Sequence, residues 1–267
     1  MTRSWLYVPG DRPDRIGKAL ATDADVVIID LEDAVKPDGK STARLYAAAA
    51  LAGDSRPRRW VRINAGDEGR RDLEALASAA TRPEGLVLAK CESVAWITEV
   101  HWSLPGIAVA PLVETAVALR DLDAIVAAHG VMCCHLGEVD LLADLGGRLP
   151  GGQGLIDHAR VRLVIACAAA GLAAPIGGVH LQIDDLESLT ATSTELAHLG
   201  FSGRAVIHPS HCAPVNAAFS PSPAEVQWAR EVLALLDGSE GAVRDRSGQM
   251  IDEAVARRAR RILATLS

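Results

Sequence analysis

The chain has 267 residues, 49% hydrophobic and 23% charged, with aromatics at only 3% and a formal net charge of −7. That length suits one α/β barrel or two small domains, and the acidity argues against a general nucleic-acid binder, which needs a basic face. No apolar stretch reaches the roughly 18 residues of a membrane span, and the start MTRSWLYVPG lacks the build of a signal peptide. The five cysteines show no CxxC pair; Cys133 and Cys134, inside an apolar run, read as small buried thiols, and a reduced cytosol is expected.

Short apolar runs alternate with amphipathic stretches along the chain. SWLYVPG is the first predicted strand, followed by a helix with Ile16 and Leu20 on one face. VVIIDLED is the second; its continuous Val/Ile run is that of a strand buried on both faces. RRWVRINAG, GLVLAKCES and GIAVAPLVET follow, then VMCCHLGEVD, GGVHLQIDD and GRAVIHPS as sixth to eighth. Helical spacing marks 70–80, 115–128, 155–170 and 188–199 between them. Eight strand–helix repeats are the pattern of a (β/α)8 TIM barrel, because parallel strands need right-handed crossovers and a closed sheet leaves no edge. A doubly wound sheet would usually carry GxGxxG after its first strand, and VPGDRPDR is not that. The expected organisation is a barrel over 1–222 and a C-terminal helical extension or lid over 223–267.

In a barrel the C-terminal strand ends converge on one mouth, where active sites are built. Here those ends carry Asp30 with Glu32 and Asp33, then Arg62, Lys90, Glu114, Glu138 with Asp140, and His208. Acids that would repel one another are stabilised by a hard divalent cation. Glu114 and Asp140, expected at the ends of neighbouring strands, are the candidate ligands. Oxygen donors without a His or Cys cluster favour Mg2+ or Mn2+ over Zn2+; the plainer reading is that both acids cap helices. Arg62, inside an apolar run, needs an anionic partner, either a substrate carboxylate or a neighbouring acid such as Glu32. Lys90 poses the same choice. His208 is a general base or a loop-orienting group. Arg12, Arg15 and Lys18 are a solvated helix face or a phosphate site, and Asp252 by itself is an N-cap-like acid.

The stretches LYVPGDRPDRIGKAL, ADVVIIDLEDAVKPDGKSTAR, WVRINA, LVLAKCES, PLVETA, LGEVDLLADLG, FSGRAVIHPSH and GQMID fall in order from residue 6 to about 253. Together they resemble the citrate lyase β-subunit-like proteins, in the group of Mg2+-dependent aldolases and lyases that includes malyl-CoA and citramalyl-CoA lyases. The resemblance implies a retro-Claisen cleavage, or its reverse, between a short β-hydroxyacyl-CoA and an acyl-CoA plus a keto acid. It implies Mg2+ on Glu114 and Asp140, Arg62 facing the reacting carbonyl, and Glu32 and Asp33 positioning Arg62 and metal-bound water. Arg12, Arg15 and Lys18, with Tyr7 nearby, would lie on the CoA side. Asp252 would reach a neighbouring subunit's site and protonate the enolate, which implies a homotrimer or hexamer.

The chain departs from the family pattern at Val139, where an acid is usual, at Ala89 before Lys90, and at Glu253 after Asp252. Two other readings stay open. A metal-dependent aldolase on free hydroxy-keto acids would not need the basic first loop or the tail acid. A non-catalytic metabolite-binding relative would not need Arg62, Glu114 and Asp140 together.

Overall fold

A computed structural model describes residues 2–53, 56–237, 243–244, 248 and 250–266. Residues through Asn216 form one compact unit and those from Ala217 another.

Eight parallel strands close the first unit into a barrel in sequence order. They are β1 (Ser4–Pro9), β2 (Val26–Asp30), β3 (Arg58–Ile63), β4 (Gly85–Leu88), β5 (Ala108–Val113), β6 (His135–Leu136), β7 (Ile176–Gly177) and β8 (Gly203–Val206). Helices α1 (Pro13–Leu20), α2 (Lys40–Ala50), α3 (Gly66–Ala77) and α4 (Val94–Ser103) connect the first five strands. α5 (Ala116–Arg120), α6 (Leu122–Val126), α7 (Glu138–Asp144), α8 (Gln153–Ala169), α9 (Leu186–Leu199) and α10 (Cys212–Ala218) complete the unit's helices. Local chemistry sets their ends. Pro13 opens α1, where its missing N–H is no loss. Ser93 and Thr115 accept backbone N–H bonds at the starts of α4 and α5. Gly200 ends α9 with a left-handed φ of 109°.

Two of the predicted strands are shorter than their apolar runs suggest. β6 stops at Leu136, so Glu138 and Asp140 lie in the first turn of α7 rather than at a strand end. β7 is Ile176–Gly177, and most of GGVHLQIDD is loop. A Cβ on Gly178 would lie 3.1 Å from the Leu136 carbonyl and 3.0 Å from Glu138, a tight fit that marks the close passage of the chain there.

The barrel interior follows the two-residue side-chain alternation of strands. Trp5, Val26, Ile28, Trp60, Val87, Ala110, Leu112, Cys133 and Ile176 form its buried plug. Trp5 and Trp60 meet edge to face at 5.0 Å between centroids. Gly85, opposite Trp60 in the β3–β4 ladder, makes room for the indole, since a Cβ there would come within 2.4 Å of the ring. The same alternation continues upward and turns Tyr7, Asp30, Arg62, Glu114 and His135 inward at the mouth. All five cysteines are free and buried, and no helix among the described residues is long and apolar enough to cross a membrane.

The second unit contains α11 (Pro223–Leu236), the short antiparallel pair β9 (Val243–Arg244) and β10 (Met250–Ile251), and α12 (Glu253–Ala264). Ala229, Val232, Ile251 and Ala259 are its buried core, with Trp228 packed against it. Arg258 lies over the Trp228 ring at 4.9 Å. Gln249, within the tail motif, lies outside the described residues.

Candidate active site

Asp30 and Arg62 are partners in the β2–β3 register, the last inward pair of their strands. Arg62 donates from Nε and Nη2 to the two carboxylate oxygens of Asp30, each at 2.6 Å. This planar fork on a carboxylate is the geometry only an arginine supplies. Its Nη1 is also 3.2 Å from Glu32. The guanidinium carbon of Arg62 lies over the Tyr7 ring, 5.0 Å from the ring centroid. Burial works against the Arg62 charge, but Asp30 and Glu32 outweigh it and hold its pKa well above the ordinary value.

Asp30 also shapes the loop after β2: its oxygens accept from the backbone N–H groups of Glu32 (2.9 Å) and Ala34 (3.1 Å). Glu32 is tied in turn to Lys90 Nζ, which is 3.7 Å from Asp33. Burial raises the proton affinity of Glu32, against the pull of Arg62 and Lys90. Beneath this loop Lys40 donates to the carbonyls of Leu31 (2.8 Å) and Glu32 (3.0 Å) and to Asn64 (2.8 Å). Asn64 donates to fully buried Asp72 from its backbone (2.9 Å) and side chain (2.7 Å), and Arg44 pairs with Asp72 at 2.7 Å. A loop carrying three acids is therefore fixed by four side chains, Lys40 and Arg44 of α2, Asp72 of α3 and Asn64 just after β3.

Glu114, directly after β5, accepts from the Lys90 backbone N–H at 2.8 Å. It is 2% exposed, and burial pushes its carboxyl up to about 7; the nearby acids Glu32 and Asp140 add to the rise. A cavity of about 400 Å3 opens between these groups. Its lining includes Tyr7, Arg15, Asp30, Asp33, Arg62, Glu114, His135 and Asp140. The structure thus brings Tyr7, Arg15, Asp33, Arg62, Glu114 and Asp140 of the predicted set together, with Glu32 bonded behind them. Arg12 instead pairs with Asp14 at 3.2 Å on the surface, and Lys18 is exposed on α1 away from the cavity lining. Asp252 caps α12, accepting from the N–H groups of Ala254 (2.9 Å) and Val255 (3.1 Å). His208 orients its own loop by bonding Ser210.

The donors fit a hard divalent cation. No group of three or more His, Cys, Asp or Glu among the described residues forms a closed cage. Glu114 and Asp140 are two carboxylates on one cavity, and the Asp140 charge adds to the rise of the Glu114 carboxyl. Two carboxylates with the remaining positions left to water and substrate oxygens is the habit of Mg2+ rather than of a structural zinc site. Glu138 lines the same cavity, with Arg160 gripping both its oxygens at 2.8 Å.

Sequence reasoning missed Lys40, Asp72 and His135, and placed Asp30 on the rim without its partnership. For Asp30 and His135 a signal existed: each continues the inward parity of its strand, after Ile28 and Cys133. Lys40 and Asp72 gave none, because both lie on helices outside the strand pattern.

A family model described as HpcH/HpaI aldolase/citrate lyase matches residues 3–209. The chain is 39% identical over 266 residues to a citrate lyase subunit beta-like protein of Mycobacterium tuberculosis, covering 97% of this chain and 93% of that one. It is 32% identical over 242 residues to a (3S)-malyl-CoA thioesterase of Cereibacter sphaeroides (89% and 84% covered). To the mitochondrial citramalyl-CoA lyase of Homo sapiens it is 32% identical over 255 residues (87% and 75%). The crystal structure of CitE from Mycobacterium tuberculosis in complex with magnesium, acetoacetate and coenzyme A matches with a TM-score of 0.85 at 37% identity, covering 98% of this chain and 97% of that one.

Proposed function

The chain belongs to the HpcH/HpaI aldolase/citrate lyase family, and from that premise we propose that it is a Mg2+-dependent carbon–carbon lyase acting on a CoA thioester. It splits a short β-hydroxyacyl-CoA into an acyl-CoA and a keto acid, or joins the two. The observation that carries this reading is the convergence of Arg62, Glu114 and Asp140 on one cavity.

Glu114 and Asp140 hold the Mg2+, with Mn2+ as the chemical alternative. When bound, the metal supplies Lewis-acid polarisation and a template for the keto acid's carboxylate and carbonyl oxygens. Arg62 commits Nε and Nη2 to Asp30 and pairs through Nη1 with Glu32; its remaining N–H donors serve the oxygen on which negative charge develops during cleavage. Asp30, Glu32 and Lys90 keep that fork in one orientation. Asp33 and Glu32 position water near the metal. Arg15 offers a cation for the phosphates of CoA from the cavity wall, with Arg12 and Lys18 farther along the same face. Asp252 serves a neighbouring subunit's cavity as the proton donor to the enolate, with the residues from Ala217 onward as the exchanged segment of a homotrimer or hexamer. Five free, buried cysteines support a reducing, cytoplasmic setting.

The test is product analysis of the purified chain with acetyl-CoA, Mg2+ and glyoxylate, pyruvate or oxaloacetate in turn. A new hydroxyacyl-CoA from at least one keto acid, abolished by EDTA, is expected. Release of free CoA from malyl-CoA without carbon–carbon cleavage would make the chain a thioesterase like its Cereibacter relative. Cleavage of a free hydroxy-keto acid alone would make it an aldolase, and no Mg2+-dependent chemistry at all would leave a metabolite-binding protein.

A further inference from the structure

The cavity is rich in acceptors and poor in donors: five carboxylates line it, against the two guanidinium groups of Arg15 and Arg62. Tyr7 lines it as well. It stands on the inward row of β1, paired in register with Ile28 of β2 and packed on the plug. Its hydroxyl has no hydrogen-bond partner among the described residues. Unlike the enclosed nitrogens of Trp60 and His135, that hydroxyl is open to the cavity. The Arg62 guanidinium over its ring places the two groups on one wall. Burial raises the phenol's pKa above its ordinary value; Arg62 pulls the other way, and Asp30, Glu114 and Glu32 add to the rise. The group is therefore a neutral O–H donor at working pH.

From this arrangement, and resting on the lyase reading above, we propose that Tyr7 is a further catalytic residue, whose hydroxyl donates a hydrogen bond to the thioester oxygen of the acyl-CoA as that oxygen becomes an enolate. Cleavage places charge on oxygens of both fragments. Those of the keto acid have the cation held by Glu114 and Asp140. The thioester oxygen has none, so it needs N–H or O–H donors aimed at it. Arg62 has Nε and Nη2 on Asp30 and Nη1 beside Glu32, and Tyr7 is the neutral side-chain donor on the lining that is open to a ligand. The electron pair of the breaking carbon–carbon bond passes onto the thioester as the enolate, and the substrate's hydroxyl proton passes to a cavity carboxylate. Tyr7 transfers no proton. Its bond strengthens as charge grows on the oxygen, so it favours the transition state over the bound thioester.

The test is Tyr7→Phe in the full chain, which keeps the ring under Arg62 and removes the hydroxyl alone. With whichever hydroxyacyl-CoA wild type makes, kcat is expected to fall at least about tenfold while KM for the acyl-CoA stays within about threefold. Calorimetric titration supplies a readout apart from turnover. Carboxymethyl-dethia-CoA carries a carboxylate where the thioester stands and presents the enolate's negative oxygen. Its affinity should fall at least about tenfold, and that of acetyl-CoA by less than about threefold. Tm and Mg2+-dependent pyruvate binding should hold, since the hydroxyl has no partner in the fold. A kcat within about threefold of wild type, equal losses for acetyl-CoA and its carboxylate analogue, or a loss confined to pyruvate overturns the assignment. A wild type that neither makes nor cleaves a hydroxyacyl-CoA overturns the lyase reading itself, and this inference with it.

Discussion

The backbone N–H of Lys90 donates to Glu114 at 2.8 Å, and Lys90 takes a left-handed φ of 46° at the same position. Among the described residues it is the one non-glycine with positive φ. Such a conformation costs a β-carbon-bearing residue on the order of 1–2 kcal/mol. Here it turns the chain after β4 so that the backbone serves Glu114 while the side chain reaches back to Glu32.

Replacing Lys90 therefore reverses the usual order of alanine and glycine. Lys90→Gly should be more stable than Lys90→Ala by about 1 kcal/mol in urea unfolding, because glycine adopts positive φ freely. Both should lose at least about tenfold in kcat/KM, since Glu32 and Arg62 lose a neighbour that orients them. An alanine variant as stable as the glycine one would remove the strain account.

Glu114 makes the metal-free protein pH-sensitive. Its carboxyl titrates near the ordinary 4.5 when unfolded and at about 7 when folded. Between those values the folded chain keeps a proton that the unfolded chain has lost. The stability this group contributes is thus full below about pH 4.5 and falls as pH rises through 7, by up to about 3 kcal/mol. Melting curves of EDTA-treated protein should show Tm dropping over that window. In Glu114→Gln the drop should vanish, together with Mg2+-dependent keto acid binding.

Gly137 guards the position of Glu114. Its φ of −93° suits any residue, but a Cβ there would fall 2.5 Å from the Glu114 Cβ and 2.7 Å from its Oε2. Gly137→Ala should fold with a loss of about 1–3 kcal/mol from overpacking and bind keto acid at least about tenfold more weakly in Mg2+. Wild-type affinity in this variant would mean that Glu114 does not set the site.

Breaking the clamp should cost more than removing it. Asp30→Asn leaves Arg62 buried without its bidentate acid and should destabilise by about 3 kcal/mol or more. Adding Arg62→Met to that background should recover part of the loss, while activity stays abolished in both. A double-mutant cycle in urea unfolding measures the coupling.

The loop scaffold carries stability rather than chemistry. Asp72→Ala leaves the Asn64 backbone N–H without its acceptor and Arg44 with Glu68 alone, and should destabilise by about 3 kcal/mol. Its keto acid affinity, measured well below its Tm, should change less than that of Gly137→Ala.

Most of the fold was legible because eight apolar runs at barrel spacing leave few alternatives. The parts that were not legible share one cause. Asp140 belongs to α7 because the chain leaves β6 after two residues, and apolarity in VMCCHLG continues past that point without marking the exit. Arg12 looked like a partner of Arg15, yet α1 turns it toward Asp14 while Arg15 lines the cavity.

The second strand shows the division most clearly. Sequence by itself determined that Val26, Ile28 and Asp30 share a face, since strand side chains alternate with period two. It also determined that an acid at the end of that inward row stands at the mouth. Only the tertiary structure decided that Asp30 takes both Nε and Nη2 of Arg62 while Glu32 takes Nη1, and that Arg160 grips Glu138 at the cavity wall. Alternation is a property of one strand and can be read along it. Pairing depends on the register between strands and helices that the chain brings together 22 to 32 residues apart, and closure of the barrel fixes that register.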